Sequence, residues 1–278
     1  MKCWSSERSM LPLSALEGWT HGLSRASISP HVADIMAELA SGLASLIASV
    51  HIYFGFFRRN SIPILCTPDR IDWDENYLGG AYLLDPLYEQ FLKRDASVVL
   101  APKDMYPADF RAHDFYRRLY EPYGWRDKIS FLAYVRPDTA GFVTLARRMD
   151  EPPFTTAEHK CSRAILAGID AAIAHLWERS GFGDTLAESD SRRLHRVLQA
   201  TYESFGGGVL SSREREVTRL MLKGLAPKEI GNLLRITPGT VRNHVKQIYL
   251  KLNVRSQPTL LALFFAKLEA AATLAVQA

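Results

Sequence analysis

The sequence predicts an α+β protein in two parts: an N-terminal α/β/α sandwich around an antiparallel sheet of about five strands, and a C-terminal domain of four helices. Up to residue 180, segments with strand periodicity alternate with segments of helical period. Three consecutive glycines at 206–208 then mark a hinge. Residues 206–268 hold 11 Lys and Arg against three Asp and Glu, net +8, whereas residues 1–205 carry net −3. This basic end makes nucleic acid the first partner to expect.

The elements of the N-terminal part are expected in the following order. Residues 1–30 show little periodicity and are expected to form an irregular arm, which leaves 31–180 for a sensing domain. Helices are expected at 30–49, as two short pieces within 72–92, at 108–120 and at 156–178, and strands at 50–57, 61–66, 97–100, 129–135 and 142–148. This order is typical of a sandwich of the GAF or PAS kind, which suits a small-molecule pocket.

One stretch, Leu39 to Phe57, raises the question of a membrane span because it holds no Lys, Arg, Asp or Glu. Its period changes midway from helical to alternating, which favours a helix feeding a buried strand and no membrane partner. The cysteines are odd in number and widely spaced, unlike a disulfide scaffold, and the first ten residues hold no apolar signal-peptide core. Together these observations predict a cytoplasmic, nucleoid-associated location.

The C-terminal domain is expected at 209–270, after a linker at 181–208. Ser211 and Glu214 form a capping box before a first helix, Pro227 opens a second short helix, and Thr237 is the expected N-cap of a third. On the third helix, apolar residues at helical spacing should point inward: Val241, Val245, Ile248 and Leu252. Polar residues then face outward: Arg242, Asn243, Lys246 and Lys251. This pattern is the geometry of a helix-turn-helix motif.

The segment after the glycines resembles the LuxR (GerE-type) DNA-binding domain over about 60 residues. The matching positions are Leu210, Arg213, Glu214, Glu216, Val217, Gly224, Lys228, Glu229, Ile230, Leu233, Ile236, Thr240, Val241, Arg242, His244, Ile248, Lys251, Leu252 and Val254. The resemblance implies that the third helix enters the major groove of double-stranded DNA and that a fourth helix, near 258–268, pairs two copies into a homodimer. RNA polymerase would be a further partner of an activator.

Carried over residue by residue, the resemblance gives six side chains of the second and third helices roles in binding DNA. Three of them would reach base edges: Arg242, Asn243 and Lys246. Three others would hold phosphates: Lys228, Thr240 and Lys251. The chemistry agrees with these roles, because Arg bonds guanine with two hydrogen bonds, Asn pairs with adenine, and Lys or Thr contacts the backbone.

The sensing part resembles the acyl-homoserine-lactone receptors of the same family in one short pattern. Trp73 and Tyr77 lie four residues apart and Asp85-Pro86 follows, whereas the tryptophan expected near Leu100 is missing. The resemblance therefore implies a divergent pocket for a different, partly apolar small molecule. Its candidate residues are Trp73, Tyr77, Tyr82, Asp85, Tyr88 and Thr144. The alternative is that the aromatic rings fill a core and Asp85 caps the helix that begins at Pro86.

These features favour a one-component, small-molecule-responsive transcriptional regulator, an orphan receptor of the quorum-sensing type. A ligand-independent regulator of the same family, controlled by a protein partner or by dimerisation, stays open, and a sigma-factor-like promoter-binding protein is a further alternative. A response regulator would need an early acidic pair, and the first 60 residues offer only Asp34 among aspartates. Without a nucleophile motif, metal-ligand spacing or a glycine-rich phosphate loop, neither an enzyme nor a cofactor or metal is expected.

Overall fold

The computed structural model describes residues 12–277, except residue 49 and the segments 67–76, 106–123 and 183–186. The helices and strands within this part of the chain are α1 (Leu13–Ile28), α2 (Val32–Leu46), β1 (His51–Arg58), β2 (Ile64–Leu65), a 3₁₀ turn (Ala81–Leu84), α3 (Pro86–Lys93), β3 (Val98–Leu100), α4 (Pro102–Met105), β4 (Trp125–Arg136), β5 (Thr139–Arg148), α5 (Thr156–Ala164), α6 (Leu166–Ser180), α7 (Ala187–Ser204), α8 (Ser212–Leu222), α9 (Pro227–Leu234), α10 (Pro238–Leu252) and α11 (Gln257–Gln277).

The described residues form two compact units. The first takes the residues within Met1–Phe54, Ala96–Ala101 and Arg126–Gly183, and the second takes those within Gly55–Asp95, Pro102–Trp125 and Asp184–Ala278. The second unit thus contains the segment with most of the predicted ligand residues as well as the helix-turn-helix. The expected boundary at the three glycines is not where these compact units divide.

The five strands form one sheet in the order β2-β1-β5-β4-β3, which confirms the expected α+β class with a five-stranded sheet. Both outer strands pair antiparallel, with Gly55 opposite Leu65 and Val98 opposite Leu132. Nine of the ten residues of β5, the central strand of the sheet, are buried, and α6 packs on this strand. The helix expected at 108–120 lies outside the described residues.

Residues 13–28 form a helix, so the expectation of an irregular arm over 1–30 is wrong for that segment. Helix α1 buries only Trp19, Gly22 and Ala26, and it packs closely on α2. A Cβ at Gly22 would come 2.6 Å from the Glu38 carbonyl oxygen, so the small residue permits the close approach of the two helices. A face made mostly of small residues carries a weak apolar period, which hides the helix from pattern analysis.

Two other expectations need correction. The single helix expected at 156–178 is divided at Ile165, whose backbone (φ −90°, ψ 0°) ends α5 and begins α6. The expected linker at 181–208 includes a polar segment, 186–205, with a composition compatible with a helix, and this segment forms α7. It packs on α11 and belongs to the second unit, so it is more than a linker. Gly206 and Gly208 have φ of 76° and 79°, and the Leu210 amide donates to the Gly206 carbonyl, so the glycines form a hydrogen-bonded turn.

The stretch from Leu39 to Phe57 is divided between α2 and β1, in agreement with a helix that feeds a strand. Among the described residues, one helical segment, Gln257–Ala275 in α11, is long and apolar enough to cross a membrane by length and composition. A single such helix is weak evidence for a span, because core helices of soluble proteins meet the same criterion.

Candidate DNA-binding and ligand-binding sites

Local signals place the first two helices of the C-terminal domain. The Ser211 hydroxyl accepts from the Glu214 amide, and the Glu214 carboxylate accepts from the Ser211 amide at 2.7 Å, so the predicted capping box begins α8. Gly224, with φ of 83°, follows the end of α8. Gly231 in α9 is required for close packing, because a Cβ there would lie 2.8 Å from the Ile236 carbonyl oxygen.

Helix α10 presents the predicted recognition face to solvent. Thr237 caps it, since the Thr237 hydroxyl accepts from the Thr240 amide at 3.1 Å. Val241 and Ile248 are completely buried, and Val245 and Leu252 are half-buried. The opposite face carries the three side chains expected to reach bases, all exposed: Arg242, Asn243 and Lys246. The helix therefore has the amphipathic arrangement that a groove-reading helix requires.

The three residues expected to hold phosphates have different surroundings. Lys228 is exposed in the first turn of α9, and Thr240 is exposed in the first turn of α10, where its hydroxyl lies 2.9 Å from that of Thr237. Lys251 is also exposed, at 39% of its side chain, but its charge is paired within the domain. Its ammonium lies 2.9 Å and 2.8 Å from the two carboxylate oxygens of the buried Glu214. Lys251 is therefore a brace between α8 and α10, and its neutralised charge weakens the case for a phosphate contact.

This ion pair also determines the charge state of the Glu214 carboxylate. The hydrogen bond from Lys251, followed by that from the Ser211 amide, lowers the pKa of Glu214 below its usual value. The carboxylate therefore stays ionised at neutral pH although its side chain is only 7% exposed. Sequence analysis missed this pairing because the two residues are 37 positions apart and both looked like surface charges.

Two further side chains hold the domain together. The Arg213 guanidinium donates to the Leu234 carbonyl at 2.7 Å and to the Glu216 carboxylate at 2.7 Å, which ties α8 to the end of α9. The side-chain amide of Gln257 donates from Nε2 to the Met221 carbonyl at 2.8 Å and ties α11 to α8. Arg213 was recognised only as a matching position of the family pattern, without a role.

The predicted ligand residues in the second unit come together around Asp85. The Tyr77 hydroxyl donates to Oδ2 of Asp85 at 2.7 Å, and Oδ1 accepts from the Leu87 amide at 2.8 Å at the start of α3. The Tyr82 ring lies 6.3 Å from the Tyr77 ring and 5.1 Å from the Tyr88 ring, edge to face in both cases. Asp85 therefore caps α3, as the structural interpretation of this residue expects. Its carboxylate also accepts a hydrogen bond from Tyr77, one of the predicted ligand residues.

Tyr82 and Tyr88 are both buried, and burial raises the pKa of each phenol, that of Tyr88 to about 12. Both hydroxyls are therefore protonated at neutral pH. The Tyr82 hydroxyl lies 2.8 Å from Nδ1 of His195 in α7, in a buried hydrogen bond. Burial lowers the pKa of His195. Sequence analysis missed His195, because α7 was interpreted as part of a polar linker.

The other two predicted ligand residues do not join this cluster. Trp73 lies outside the described residues. Thr144 belongs to the first unit, where it is buried in β5 and shares a hydrogen bond of 3.0 Å with the Ser130 hydroxyl on β4. Within the described part of the chain, no group of three or more His, Cys, Asp or Glu side chains is placed to hold a metal ion.

Comparison with known proteins adds to this geometry. The family model described as "Bacterial regulatory proteins, luxR family" matches residues 208–264. A putative HTH-type transcriptional regulator from Aeromonas salmonicida is 28% identical over 153 residues, 54% of this chain and 78% of that protein. The nitrate/nitrite response regulator protein NarP of Escherichia coli K12 is 35% identical over 79 residues, 27% of this chain but only 36% of NarP.

A solved structure resembles the N-terminal part. The VqsR LBD domain from Pseudomonas aeruginosa superposes with a TM-score of 0.51 at 16% identity, over 59% of this chain and 98% of that domain. At this identity the likeness shows a shared fold and nothing about the ligand. The match at 208–264, in contrast, coincides with a complete helix-turn-helix whose basic face is exposed. The C-terminal domain therefore belongs to the luxR family of bacterial regulatory proteins, and through it the chain is a DNA-binding transcriptional regulator.

Proposed function

We propose that the chain is a one-component regulator that binds an operator as a homodimer and responds to a small, partly apolar molecule in the cytoplasm. One observation carries the DNA-binding half of this proposal. Arg242, Asn243 and Lys246 are exposed on one face of α10, while Val241 and Ile248 on the other face are completely buried. A helix fixed in this way can enter the major groove without repacking its domain.

The proposed contacts divide into base reading and backbone binding. Arg242 would bond guanine O6 and N7, Asn243 would bond adenine, and Lys246 would reach a neighbouring base edge. Lys228 and Thr240, exposed in the first turns of α9 and α10, would bind phosphates, where helix N-termini also favour anions. If the regulator is an activator, RNA polymerase would be a further partner.

The experiment that tests base reading selects operators from random DNA and compares variants on selected and unrelated duplexes. Arg242→Ala should cost about 1–3 kcal/mol of binding free energy on the operator and relax the preference at one position. Lys228→Ala should weaken both duplexes alike and lower the salt slope by about one. Lys160→Ala, at an exposed position on α5 and outside the DNA-binding domain, is the control and should change neither. Equal weakening of both duplexes by Arg242→Ala would contradict the base contact.

The ligand proposal rests on the cluster of Tyr77, Tyr82, Asp85 and Tyr88. It combines buried aromatic surface with three phenol hydroxyls and a carboxylate, the mixture typical of sites for partly apolar molecules. The Asp85 carboxylate accepts from Tyr77 and from the Leu87 amide, so a donor group of a ligand that bound there would join or replace these hydrogen bonds. Thr144, buried in the first unit, stays a separate candidate.

Thermal stabilisation by added compounds tests the ligand proposal. The compounds are a series of acyl-homoserine lactones and a set of unrelated apolar metabolites, each added to the full chain. A compound that stabilises the wild type should stabilise Asp85→Asn less, because a charge-assisted hydrogen bond contributes about 1.5–3 kcal/mol. Equal stabilisation of both would return Asp85 to a purely structural role. Strong stabilisation by a common acyl-homoserine lactone would contradict the proposed divergence of the pocket.

A further inference from the structure

The exposed face of α10 continues beyond the three polar side chains that would reach base edges. Leu250 lies four residues after Lys246 and seven after Asn243, so the helical period places these three side chains in one row along the helix. Leu250 is 66% exposed, whereas Val241 and Ile248 on the opposite face are completely buried. A large aliphatic side chain therefore extends the row of base-reading candidates by one turn of the helix.

The last turn of α10 holds Leu250 in a fixed place. The Lys251 ammonium is bonded to both carboxylate oxygens of Glu214, which ties this turn to α8. Asn253, with φ of 53°, ends the helix, and its amide donates to the Leu250 carbonyl at 3.3 Å. The backbone that carries Leu250 is therefore fixed to the rest of the domain, as a side chain that reads DNA requires.

The chemistry of leucine limits what this side chain can recognise on DNA. Leucine has no charge and no hydrogen-bonding group, so it can bind neither the phosphate oxygens nor the donors and acceptors of the base edges. The major groove presents one apolar group, the C5 methyl of thymine, which apolar side chains contact. Packing of the leucine on this methyl group removes apolar surface of both from water. Thymine is therefore the base that matches Leu250.

We propose that Leu250 is a specificity-determining residue that packs on the methyl group of a thymine in each half-site of the operator. This inference rests on the proposed function, and it adds an apolar contact to the polar contacts proposed above. The step from Asn243 to Leu250 covers about 10 Å of the helix axis, which corresponds to about two to three base pairs of the groove. The thymine therefore lies about two to three base pairs beyond the position that Asn243 reads, in the direction of Lys246.

The size of a methyl contact sets the expected effect. Burial of one methyl group changes the affinity for one half-site by about three- to fivefold. Because a homodimer makes the contact in both half-sites, the two factors multiply to about 10- to 25-fold. A hydrogen-bonded pair such as arginine with guanine discriminates by about five- to 150-fold at one position. The thymine contact therefore sharpens a specificity that the polar side chains establish.

Replacement of thymine by deoxyuridine tests the contact, because deoxyuridine lacks only the C5 methyl group. Each thymine of the selected operator is replaced in turn, and the affinity of the full chain is measured at one salt concentration. The wild type should bind about three- to fivefold more weakly at one thymine of a half-site. Leu250→Ala should bind the unmodified operator about 10- to 25-fold more weakly and should no longer respond to that replacement. Alanine favours a helix and Leu250 is exposed, so the variant should fold normally.

Two further variants give the experiment its control and its reference point. Leu233→Ala is the matched control, because Leu233 is 62% exposed in the same domain but lies on α9. It should keep the wild-type response to deoxyuridine at every position. Asn243→Ala identifies the base pair that Asn243 reads, from which the distance to the thymine is counted. Loss of the response in Leu233→Ala as well, or a coupled thymine on the side away from Lys246, overturns the proposal.

Selection of operators by the wild type separates the failure of this contact from the failure of the proposed function. If the wild type selects no DNA, the proposed function is contradicted and the thymine contact falls with it. An operator that depends on Arg242 but has no thymine whose methyl effect depends on Leu250 keeps the proposed function and overturns the thymine contact alone. Unchanged operator binding by Leu250→Ala together with reduced transcription in vitro overturns it too, and would assign the side chain to RNA polymerase.

Discussion

The helix-turn-helix and the segment 77–93 are both built from short helices in the second unit, but they are fixed in different ways. Helices α8 and α10 begin at side-chain caps, Ser211 and Thr237, within three residues of the amides that they cap. The segment 77–93 has one such cap, Asp85, which also accepts from Tyr77, but its contacts with the rest of the unit come from far along the chain, with Tyr82 bonded to His195 113 positions away. Short-range signals therefore form the DNA-reading helices, whereas long-range contacts position the candidate sensing segment.

This difference has a functional consequence. The recognition face of α10 keeps its shape as long as its own small domain is folded. The segment 77–93 has partners on α7 and α11, so its position depends on those two helices. A regulator needs one part that reads DNA rigidly and another that responds to a signal, and the two kinds of stabilisation match these needs.

The largest expected effect comes from the long-range packing of α11. Phe264→Ala should lower the free energy of unfolding by about 3–5 kcal/mol, because it removes a completely buried ring that contacts Phe205 and Tyr202. Chemical denaturation measures the loss. Phe265→Ala is the matched control at the next position, where the ring is only half-buried, and it should cost about 1–2 kcal/mol. Equal losses in the two variants would contradict the assignment of Phe264 to the core between α7 and α11.

The second prediction concerns the brace within the helix-turn-helix. Lys251→Met should lower the free energy of unfolding by about 1–2 kcal/mol, because it leaves the buried Glu214 carboxylate without its cation, while the partial exposure of the ammonium limits the loss. Lys246→Met, on an exposed face of the same helix, should change stability by less than about 0.5 kcal/mol. Binding to random DNA provides the opposite comparison, because Lys228→Met, at an exposed proposed phosphate contact, should weaken it more than Lys251→Met. The reverse order would restore Lys251 as a phosphate contact.

The sequence predicted those parts of the fold whose signals are local. Apolar runs bounded by turn residues predict five strands close to where the structure has them, and the capping box at Ser211 together with Thr237 predicts the helix-turn-helix. Helix α1 was missed, because Gly22 and Ala26 give its buried face little apolar period. The break at Ile165 was missed because its neighbours on both sides keep helical spacing.

The residues of the candidate sites show the same difference between short-range and long-range signals. Tyr77 and Asp85, eight residues apart, were expected together and share a hydrogen bond. His195 was not foreseen, since nothing near it in sequence indicates a buried tyrosine as its partner. Lys251 was placed on the DNA because its helical position is compatible with an outward face, and only the contact with Glu214 shows that its charge is paired. A helical pattern does not show whether a side chain meets a buried partner from a distant part of the chain.

The third prediction concerns the short-range hydrogen bonds of Asp85 in the segment 77–93. Asp85→Asn should lower the free energy of unfolding by about 1 kcal/mol, because asparagine still caps α3 but offers Tyr77 a neutral acceptor. Tyr77→Phe removes the same bond from the other side. If the Tyr77–Asp85 bond is the only interaction lost, the double variant should cost little more than either single one. Fully additive losses would show that the two residues act separately.

The smallest expected effect is a pH dependence that comes from His195. Because burial lowers the pKa of His195 below its ordinary value of 6.5, the unfolded chain takes up its proton first as the pH falls. The contribution of His195 to stability is therefore fully present above pH 6.5 and is lost as the pH falls from there to the folded-state pKa. The slope of the unfolding free energy is at most about 1.4 kcal/mol per pH unit in that window, the limit for one proton.

His195→Asn isolates this contribution, because the asparagine side chain keeps a hydrogen-bonding group near the position of Nδ1 but does not titrate. Tyr82 stays protonated throughout the range, since burial raises its pKa far above neutrality. Denaturation between pH 5 and pH 8 should therefore show the wild type losing stability relative to His195→Asn below pH 6.5 and running parallel to it above. Parallel curves over the whole range would mean that His195 accepts a proton in the folded chain as readily as in the unfolded one. In that case the long-range bond to Tyr82 would place no constraint on the charge of the histidine, and the contrast with the locally capped helices of the DNA-reading domain would be weaker.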